Sequence, residues 1–523
     1  MNSTDGNDTG SGSAGAAGGA RPASSGPRWP GQLAAIDMGS NSFRLEIGQL
    51  IDGRYRRVDY LKETVRLGAG LDSNGLLTDE AAVRGLACLA RFAQRLKGFE
   101  APQVRAVATQ TLREARNRDD FLARAQATLG FPIEVISGRE EARLIYAGVA
   151  RLQPSDVPRL VVDIGGRSTE MILGVARKPL RAESFQVGSV SLSLKYFGDG
   201  RFTEAAFRQA QIAAGAELEE ALEPFAAPHW REALGSSGTV GAVSQLLAAS
   251  NVTDGGITPE ALRWLMEQCL RAGHVDKLAL PGLKEERRAV IAGGIAILYT
   301  LATHFDIAVL RPARGALRQG VLFELDERRH ATGLHQDGHD IRDASVREMQ
   351  RRFMVDAQQA GRVTRVAQRL YASAQPKAGV EAQRELLWAC ALHEIGMMIS
   401  HHDHHRHSAY VLAHADAAGF SQSQLRRVGE LVLGQRGGLR KVETALVRED
   451  FVWQVLCLRL AIIKCHARGE VNPQAMQIKR DGAVAELSFP PRWAEAHPRT
   501  QHLLSEEAAM WERGGPLRLA LRG

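Results

Sequence analysis

Cysteine is scarce in this chain and never closely spaced. Five cysteines (Cys88, Cys269, Cys390, Cys457, Cys465) are scattered through 523 residues without a C-x-x-C pair. That leaves no basis for a disulfide framework or a zinc knuckle and fits a reducing, cytosolic compartment. Long apolar runs are missing as well. The most membrane-like stretch, VIAGGIAILYTLA at 290–302, is broken by Thr303-His304 before the roughly 20 residues that a span requires, and it reads as a buried helix. Residues 1–31 are dominated by Gly, Ala, Ser and Pro and hold no apolar h-region of a secretory signal. A segment able to bury so little is expected to be a disordered tail. Strong charge of one sign is absent too: 66 Lys and Arg against 59 Asp and Glu leave a formal +7. This favours polyanionic partners without choosing among phosphates, nucleic acid and lipid headgroups.

What is present is a repeated design. At roughly 150 residues per domain the length calls for three or four domains. From 33 to about 145, strand and helix alternate: a hairpin, the helix EAAVRGLACLARFAQRL, the strand VRAVAT, and the helix TLREARNRDDFLARAQATLG. A second such block runs from LVVDIGG through the strand-turn GSSGTVGAVSQLL to the closing RPARGALRQGVLFEL. The alternation predicts an α/β layer architecture. Beyond about 331, amphipathic segments such as REMQRRFMVDAQQAGRVTRVAQRLYASA dominate and strand signals nearly vanish until VAELSFP. The divisions expected are a tail (1–31), two α/β domains (32–145 and 146–330), a helical domain (331–470) and a small α/β element (471–523).

Both α/β blocks open alike. LAAIDMGSNSFRLEIG (33–48) and VVDIGGRSTE (161–170) each carry an apolar strand into an aspartate and a glycine-serine turn. Burying Asp163 without a partner would cost several kcal/mol, so a ligand, a metal or backbone donors should meet it. Glycine turns directly after strands let backbone N–H groups approach phosphate oxygens. Three are present, DMGSNS, DIGGRS and GSSGT, and three in this order point to phosphate.

Two such hairpins opening successive α/β blocks resemble the actin, Hsp70 and sugar-kinase superfamily. Within it, AAIDMGSNSFRLEI, ATQTLREARN, ISGREEARLIYAGV, DIGGRSTEMILG and GSSGT, in this order, look like the exopolyphosphatase and guanosine pentaphosphate phosphatase (Ppx/GppA) family, in its longer, exopolyphosphatase-type members. The resemblance implies two actin-like (ASKHA, RNase H-like) domains followed by a mostly helical, HD-like region. It also implies Mg²⁺-dependent removal of the terminal phosphate of inorganic polyphosphate. Mg²⁺, with a monovalent cation such as K⁺ as a second ion, is the implied cofactor. Polyphosphate is the implied partner, with guanosine pentaphosphate as the alternative and no nucleic acid. A homodimer in the cytoplasm is expected, with peripheral membrane association as a second option.

Carried over by the resemblance, Glu141 would be the base for the attacking water. The residues support it over Glu140, because Ser137 and Glu140 form an S-x-x-E capping box that would occupy Glu140. Asp163 and Glu170 would hold Mg²⁺ directly or through water, with Asp37 assisting; hard oxygen ligands suit that ion. Ser40, Asn41 and Ser168 would donate to phosphate, beside backbone groups of Gly39, Gly165, Gly166, Ser236, Gly238 and Thr239. Arg113 would reach the terminal phosphate with a two-point fork. Arg167 is a departure, since the family pattern reads D-I-G-G-G-S-T-E. It adds bulk and charge, with backbone strain if its φ must be positive, and its guanidinium is expected to contact phosphate. HEIGMMISHHDHHRH looks like an HD phosphohydrolase helix, but its pair is His393-Glu394, and LRLAIIKC lacks the later aspartate. A degenerate structural module is expected there. Competing readings are a small-molecule kinase of the same superfamily and a non-catalytic polyphosphate-binding regulator.

Overall fold

The computed structural model describes residues 31–331, except 52, and 340–522. The tail expected at 1–31 therefore lies almost wholly outside the described residues. The first sheet contains β1 (Gln32–Met38), β2 (Ser42–Ile51), β3 (Arg54–Thr64), β4 (Val104–Ala108) and β5 (Ile133–Val135), in the order β3-β2-β1-β4-β5. The second contains β6 (Arg159–Ile164), β7 (Thr169–Val175), β8 (Lys178–Phe185), β9 (Glu232–Ser236) and β10 (Leu310–Pro312), in the order β10-β9-β6-β7-β8. Read from the hairpin side, the two orders are the same. In each, an antiparallel three-strand meander is extended by parallel strands beyond its first member. This duplicated topology is the actin-like architecture.

β1 shows why the strands read as apolar runs. Flanked by β2 and β4, it is covered on both faces, and all of its residues after Gln32 are buried, as a central strand under helices must be. The segment 290–302 lies almost wholly in the helix Ile291–His304, which is buried along nearly its whole length. Its apolar content serves the core, and no helix among the described residues is long and apolar enough to cross a membrane.

Two helices lie between the sheets: α4, as we call Gly138–Leu152 after α1 (Asp79–Arg95), α2 (Gln110–Glu114) and α3 (Arg118–Leu129), and the helix Leu317–Ala331. Leu144, Val149, Val321 and Leu322 form one core with Leu33 and Val107 of the first sheet and Val161 and Ile172 of the second. The helices cross at glycine. A Cβ on Gly320 would stand 1.8 Å from the Leu144 carbonyl oxygen, and one on Gly148 2.3 Å from that of Ala316. α4 thus runs through the boundary placed at 145/146, and the last helix of the second block packs back against the first sheet.

Two local expectations are corrected and one is extended. TLREARNRDDFLARAQATLG is two helices, α2 and α3. Between them the Asn117 amide accepts from Leu77 N (2.9 Å) and donates to Leu77 O (3.0 Å), holding a turn where a continuous helix was expected. GSSGTVGAVSQLL closes β9 and immediately opens the helix Ser237–Ala249. VAELS is one strand of three, since β12 (Val484–Ser488) pairs with β11 (Gln477–Asp481) and β13 (Arg518–Arg522).

The region from 340 to 464 is helical. Its loop at Gly419 meets the α/β part: Gly419 N–H donates to Glu140 Oε2 (3.0 Å), and Arg328 Nη2 donates to Gly419 O (2.6 Å).

Candidate active site

The two hairpin turns face each other across a cleft of about 80 Å³. They are built alike: a Cβ on Gly39 would lie 3.1 Å from Ser42 O, and one on Gly165 3.1 Å from Ser168 O. Glycine is needed in both for close approach rather than for handedness, since neither has a positive φ. The left-handed residue of the site is Ser237, at φ 95° in the third turn, a conformation costly without glycine and typical of functional loops. Backbone and hydroxyl groups of Gly39, Ser40, Asn41, Gly165, Gly166, Ser168, Gly238 and Thr239 line the cleft. Ser236 does not. Its hydroxyl donates to Gly315 O (3.2 Å), while that of Thr239 donates to Ile164 O (2.9 Å), so the third turn offers backbone and Ser237 instead.

The carboxylates divide into two kinds. Asp37 is paired with Arg44 (3.2 Å) and Arg318 (3.5 Å), so it is already neutralised and is a poor candidate for a metal ligand. Asp163 and Glu170 stand opposite each other in the β6–β7 register and form no salt bridge among the described residues. Burial pushes the Asp163 carboxyl up to about 6, with nearby Asp37 adding to the rise, against the neighbouring Ser236 hydroxyl and the Arg44 and Arg318 charges. Burial first, then the Glu141 and Asp163 charges, hold Glu170 well above the usual range; the Ser184 hydroxyl donates to it at 2.8 Å. Glu141 is pushed up to about 7 by burial, although Arg113 opposes the rise from 2.8 Å. This cluster of costly negative charge suits a hard divalent cation. Among the described residues no three His, Cys, Asp or Glu side chains converge as a complete cage. Mg²⁺, which keeps waters and shares substrate oxygens, needs only one or two carboxylates.

The route to Glu141 differs from the capping-box reading. Ser137 Oγ does accept from Glu140 N (3.2 Å), but the Glu140 carboxylate does not return to the cap. It takes two bonds of 2.7 Å from Arg143 and one from Gly419. Glu140 is buried in a structural ion network, and Glu141 faces the cleft. Arg113 stands behind Glu141, bonded to it, to Gln110 and to Ile136 O; it does not line the cleft. Arg167 is corrected as well: its backbone is not left-handed, and its guanidinium binds Glu114 and Gly68 O.

The cations that do line the cleft are Arg44, Arg287 and Arg318, all three missed by the sequence reading. Arg44 had a signal, since a tight hairpin register sets it opposite Asp37. Arg318 lies 281 residues from Asp37, and no local pattern marks it. Arg287 makes no ion pair among the described residues, and burial together with Arg44 lowers its pKa. The same three arginines border an adjoining chamber of about 310 Å³ that also presents Arg57, Lys62, Lys284 and Arg314.

The His393 segment forms no comparable centre. His393 Nδ1 is 2.7 Å from Cys390 O, and Glu394 is held by Arg468.

Comparison with known proteins identifies the family. The model of the Ppx/GppA phosphatase family matches residues 49–329, more than half of the chain, and that of Ppx/GppA phosphatase domain III matches 341–508. Similar solved structures include an exopolyphosphatase from Cytophaga hutchinsonii ATCC 33406 (26% identity over 56% of this chain and 98% of that one, TM-score 0.51). An exopolyphosphatase-like protein is 25% identical over 57% of this chain and 98% of that one, with a TM-score of 0.51. The Aquifex aeolicus PPX-GPPA enzyme is 26% identical over 56% and 98%, with a TM-score of 0.47. The chain belongs to the Ppx/GppA phosphatase family.

Proposed function

We propose that this chain is a Mg²⁺-dependent exopolyphosphatase that releases orthophosphate from the end of inorganic polyphosphate. The observation that carries this reading is the placement of Asp163, which has no salt bridge among the described residues, against the glycine turns of the cleft, with Glu170 opposite it in the β6–β7 register, next to a chamber lined by seven Arg and Lys side chains. In the chamber, Tyr60 is already flanked by the Arg57 and Arg318 guanidinium groups, each 5.3 Å from its ring centre. A cationic chamber with its tyrosine so engaged suits further phosphates of a chain better than a purine.

The terminal phosphoryl group would sit on the backbone groups of the two hairpin turns, with Arg44, Arg287 and Arg318 offsetting its charge. Phosphoryl transfer spreads charge over the equatorial oxygens, so positioning and cations do most of the catalysis. Asp163 and Glu170 would hold Mg²⁺, which supplies charge neutralisation at the phosphate oxygens. With a carboxyl pKa of about 7, Glu141 is poised near neutrality to accept the proton of the attacking water. Arg113, bonded to Oε2, fixes that carboxylate. Homodimerisation and a K⁺ requirement belong to the same proposal.

Orthophosphate release from long polyphosphate and from guanosine pentaphosphate, compared by kcat/KM without any acceptor, tests it. Preference for polyphosphate is expected. Preference for the nucleotide would replace this reading with a guanosine pentaphosphate phosphatase, and phosphate transfer only to an added acceptor would make the chain a kinase.

A further inference from the structure

Arg167 stands where the family pattern has glycine, and its bonds lead back to Glu141. Arg167 Nε and Nη2 donate to Glu114 Oε2 at 2.9 and 2.6 Å, and Nη1 donates to Gly68 O at 3.2 Å. The other oxygen of Glu114 accepts from Gln110 Nε2 (2.6 Å). The Gln110 carbonyl accepts from Arg113 Nε (2.9 Å) and Nη2 (2.6 Å), and Arg113 Nη1 donates to Glu141 Oε2 (2.8 Å). Arg167 belongs to the second α/β unit and Glu114, Gln110 and Arg113 to the first, so the chain of bonds starts by crossing the cleft.

Each link constrains the next. A carboxylate accepts only and a guanidinium donates only, so the amide of Gln110 can satisfy both neighbours in one orientation, with NH₂ toward Glu114 and oxygen toward Arg113. Glu114 has no other cation among the described residues, and its charge is adjacent in sequence to Arg113. Left without Arg167, it becomes a competitor for the Arg113 guanidinium. With Arg167 in place, Glu114 is occupied and Arg113 is committed to Glu141.

We propose that Arg167 is a positioning residue: by binding Glu114 across the cleft it couples apposition of the two α/β units to the orientation of Arg113 and, through it, of Glu141. The inference rests on the reading of Glu141 as the base.

The test uses the full chain and four variants: Arg167→Gly, Arg167→Lys, Glu114→Gln and the double variant Arg167→Gly/Glu114→Gln. Two readouts are taken, namely kcat and KM for orthophosphate release from tripolyphosphate, and hydrogen–deuterium exchange of the 109–115 segment without substrate. Arg167→Gly should lower kcat by roughly 2- to 30-fold, the range for residues that act through a network, with KM within about twofold. The 109–115 segment should exchange faster, Arg167→Lys should recover part of kcat, and the double variant should be no slower than Arg167→Gly. A raised KM at unchanged kcat would show that Arg167 binds phosphate directly. Independent, multiplying effects of the two single variants would show that Glu114 does not relay. Either result overturns the proposal, as does wild-type behaviour of Arg167→Gly. If the wild-type chain releases no orthophosphate from any phosphoanhydride, the functional reading fails, whereas unchanged exchange in Arg167→Gly rejects the latch itself.

Discussion

Asp163, which lines the cleft between the α/β units, and Glu170, opposite it in the β6–β7 register, form no salt bridge among the described residues. In the cavity of the helical region two of the three carboxylates are matched, with Glu394 bonded to Arg468 and Glu507 held by Arg459 through Nη2 at 2.7 Å. The helical cavity is the larger, about 530 Å³, and four histidines (His393, His401, His404, His466) line it, so by residue type it looks the better metal site. Burial pushes His393 and His404 down to about 4, leaving both neutral. Demand for a cation is set by charge that the protein leaves unanswered, not by a count of potential ligands. By that measure the small cleft calls for a cation more strongly than the large cavity.

The largest break in this comparison should come from Glu141→Ala. Orthophosphate release should fall by about 10²- to 10⁴-fold, the usual contribution of a general base, with circular dichroism showing the chain still folded even though Arg113 loses its carboxylate partner. Retention of more than about a tenth of the activity would reject Glu141. The adjacent Glu140→Ala should do the reverse in kind: it strips a partner from Arg143 and Gly419 and lowers stability, a change read by thermal unfolding.

These two glutamates also mark how far the sequence could be read. The doubled hairpins and the order of the blocks are local patterns that led to the fold; Glu141 came from the family resemblance, with the N-cap Ser137 favouring it over Glu140. The fate of Glu140 was not local. Its partners Arg143 and Gly419 come from its own helix and from the helical region, so the capping-box argument favoured Glu141, which lines the cleft, on a contact that Glu140 does not make. Arg318 and Arg287 escaped notice for the same cause, being brought in by tertiary packing. Arg167 was visible as a departure, yet its partner Glu114 lies 53 residues away, and the expectation of a phosphate contact followed from proximity to the turn alone.

A second prediction sharpens the comparison through pH. The carboxyls of Asp163 (about 6), Glu141 (about 7) and Glu170 (well raised) lie above their ordinary values. The folded metal-free protein therefore binds protons more tightly than the unfolded chain. The stability these groups contribute is complete below the ordinary carboxyl range and is lost as pH rises through about 6 to 7, each unit of displacement being worth about 1.4 kcal/mol. Mg²⁺ competes with those protons, so its stabilisation should grow with pH and reach about 2.7 kcal/mol at a hundred times its Kd. Melting curves with EDTA and with Mg²⁺ between pH 5 and 8 would show this. Asp163→Asn should flatten the metal-free slope and shrink the Mg²⁺ shift, whereas Glu394→Gln should leave the shift unchanged. An equal shift in both variants would remove the distinction between the two cavities.

The smallest effect concerns what the helical region does if it holds no metal. Among the basic residues of the helical region, Arg362 is buried on Gln359 and Arg351 is paired with Glu348. Arg347, Arg352, Arg365, Arg436 and Arg440 are exposed, and Lys441 is partly so. A polyphosphate too long for the cleft and chamber carries charge that those sites cannot offset, and polyanion binding accumulates through many weak contacts. Truncation near residue 330 would test this poorly, because it removes Gly419 from Glu140 and Arg328 and disturbs the helix that carries Glu141. Neutralising the 436–441 loop alone is cleaner: Arg436→Ala/Arg440→Ala/Lys441→Ala should raise KM for long polyphosphate a few-fold, make its salt dependence shallower, and leave tripolyphosphate hydrolysis untouched. Loss of activity on both substrates would instead tie the loop to the fold. No change on either would place the long chain elsewhere, leaving the helical region to act through its contact with Glu140.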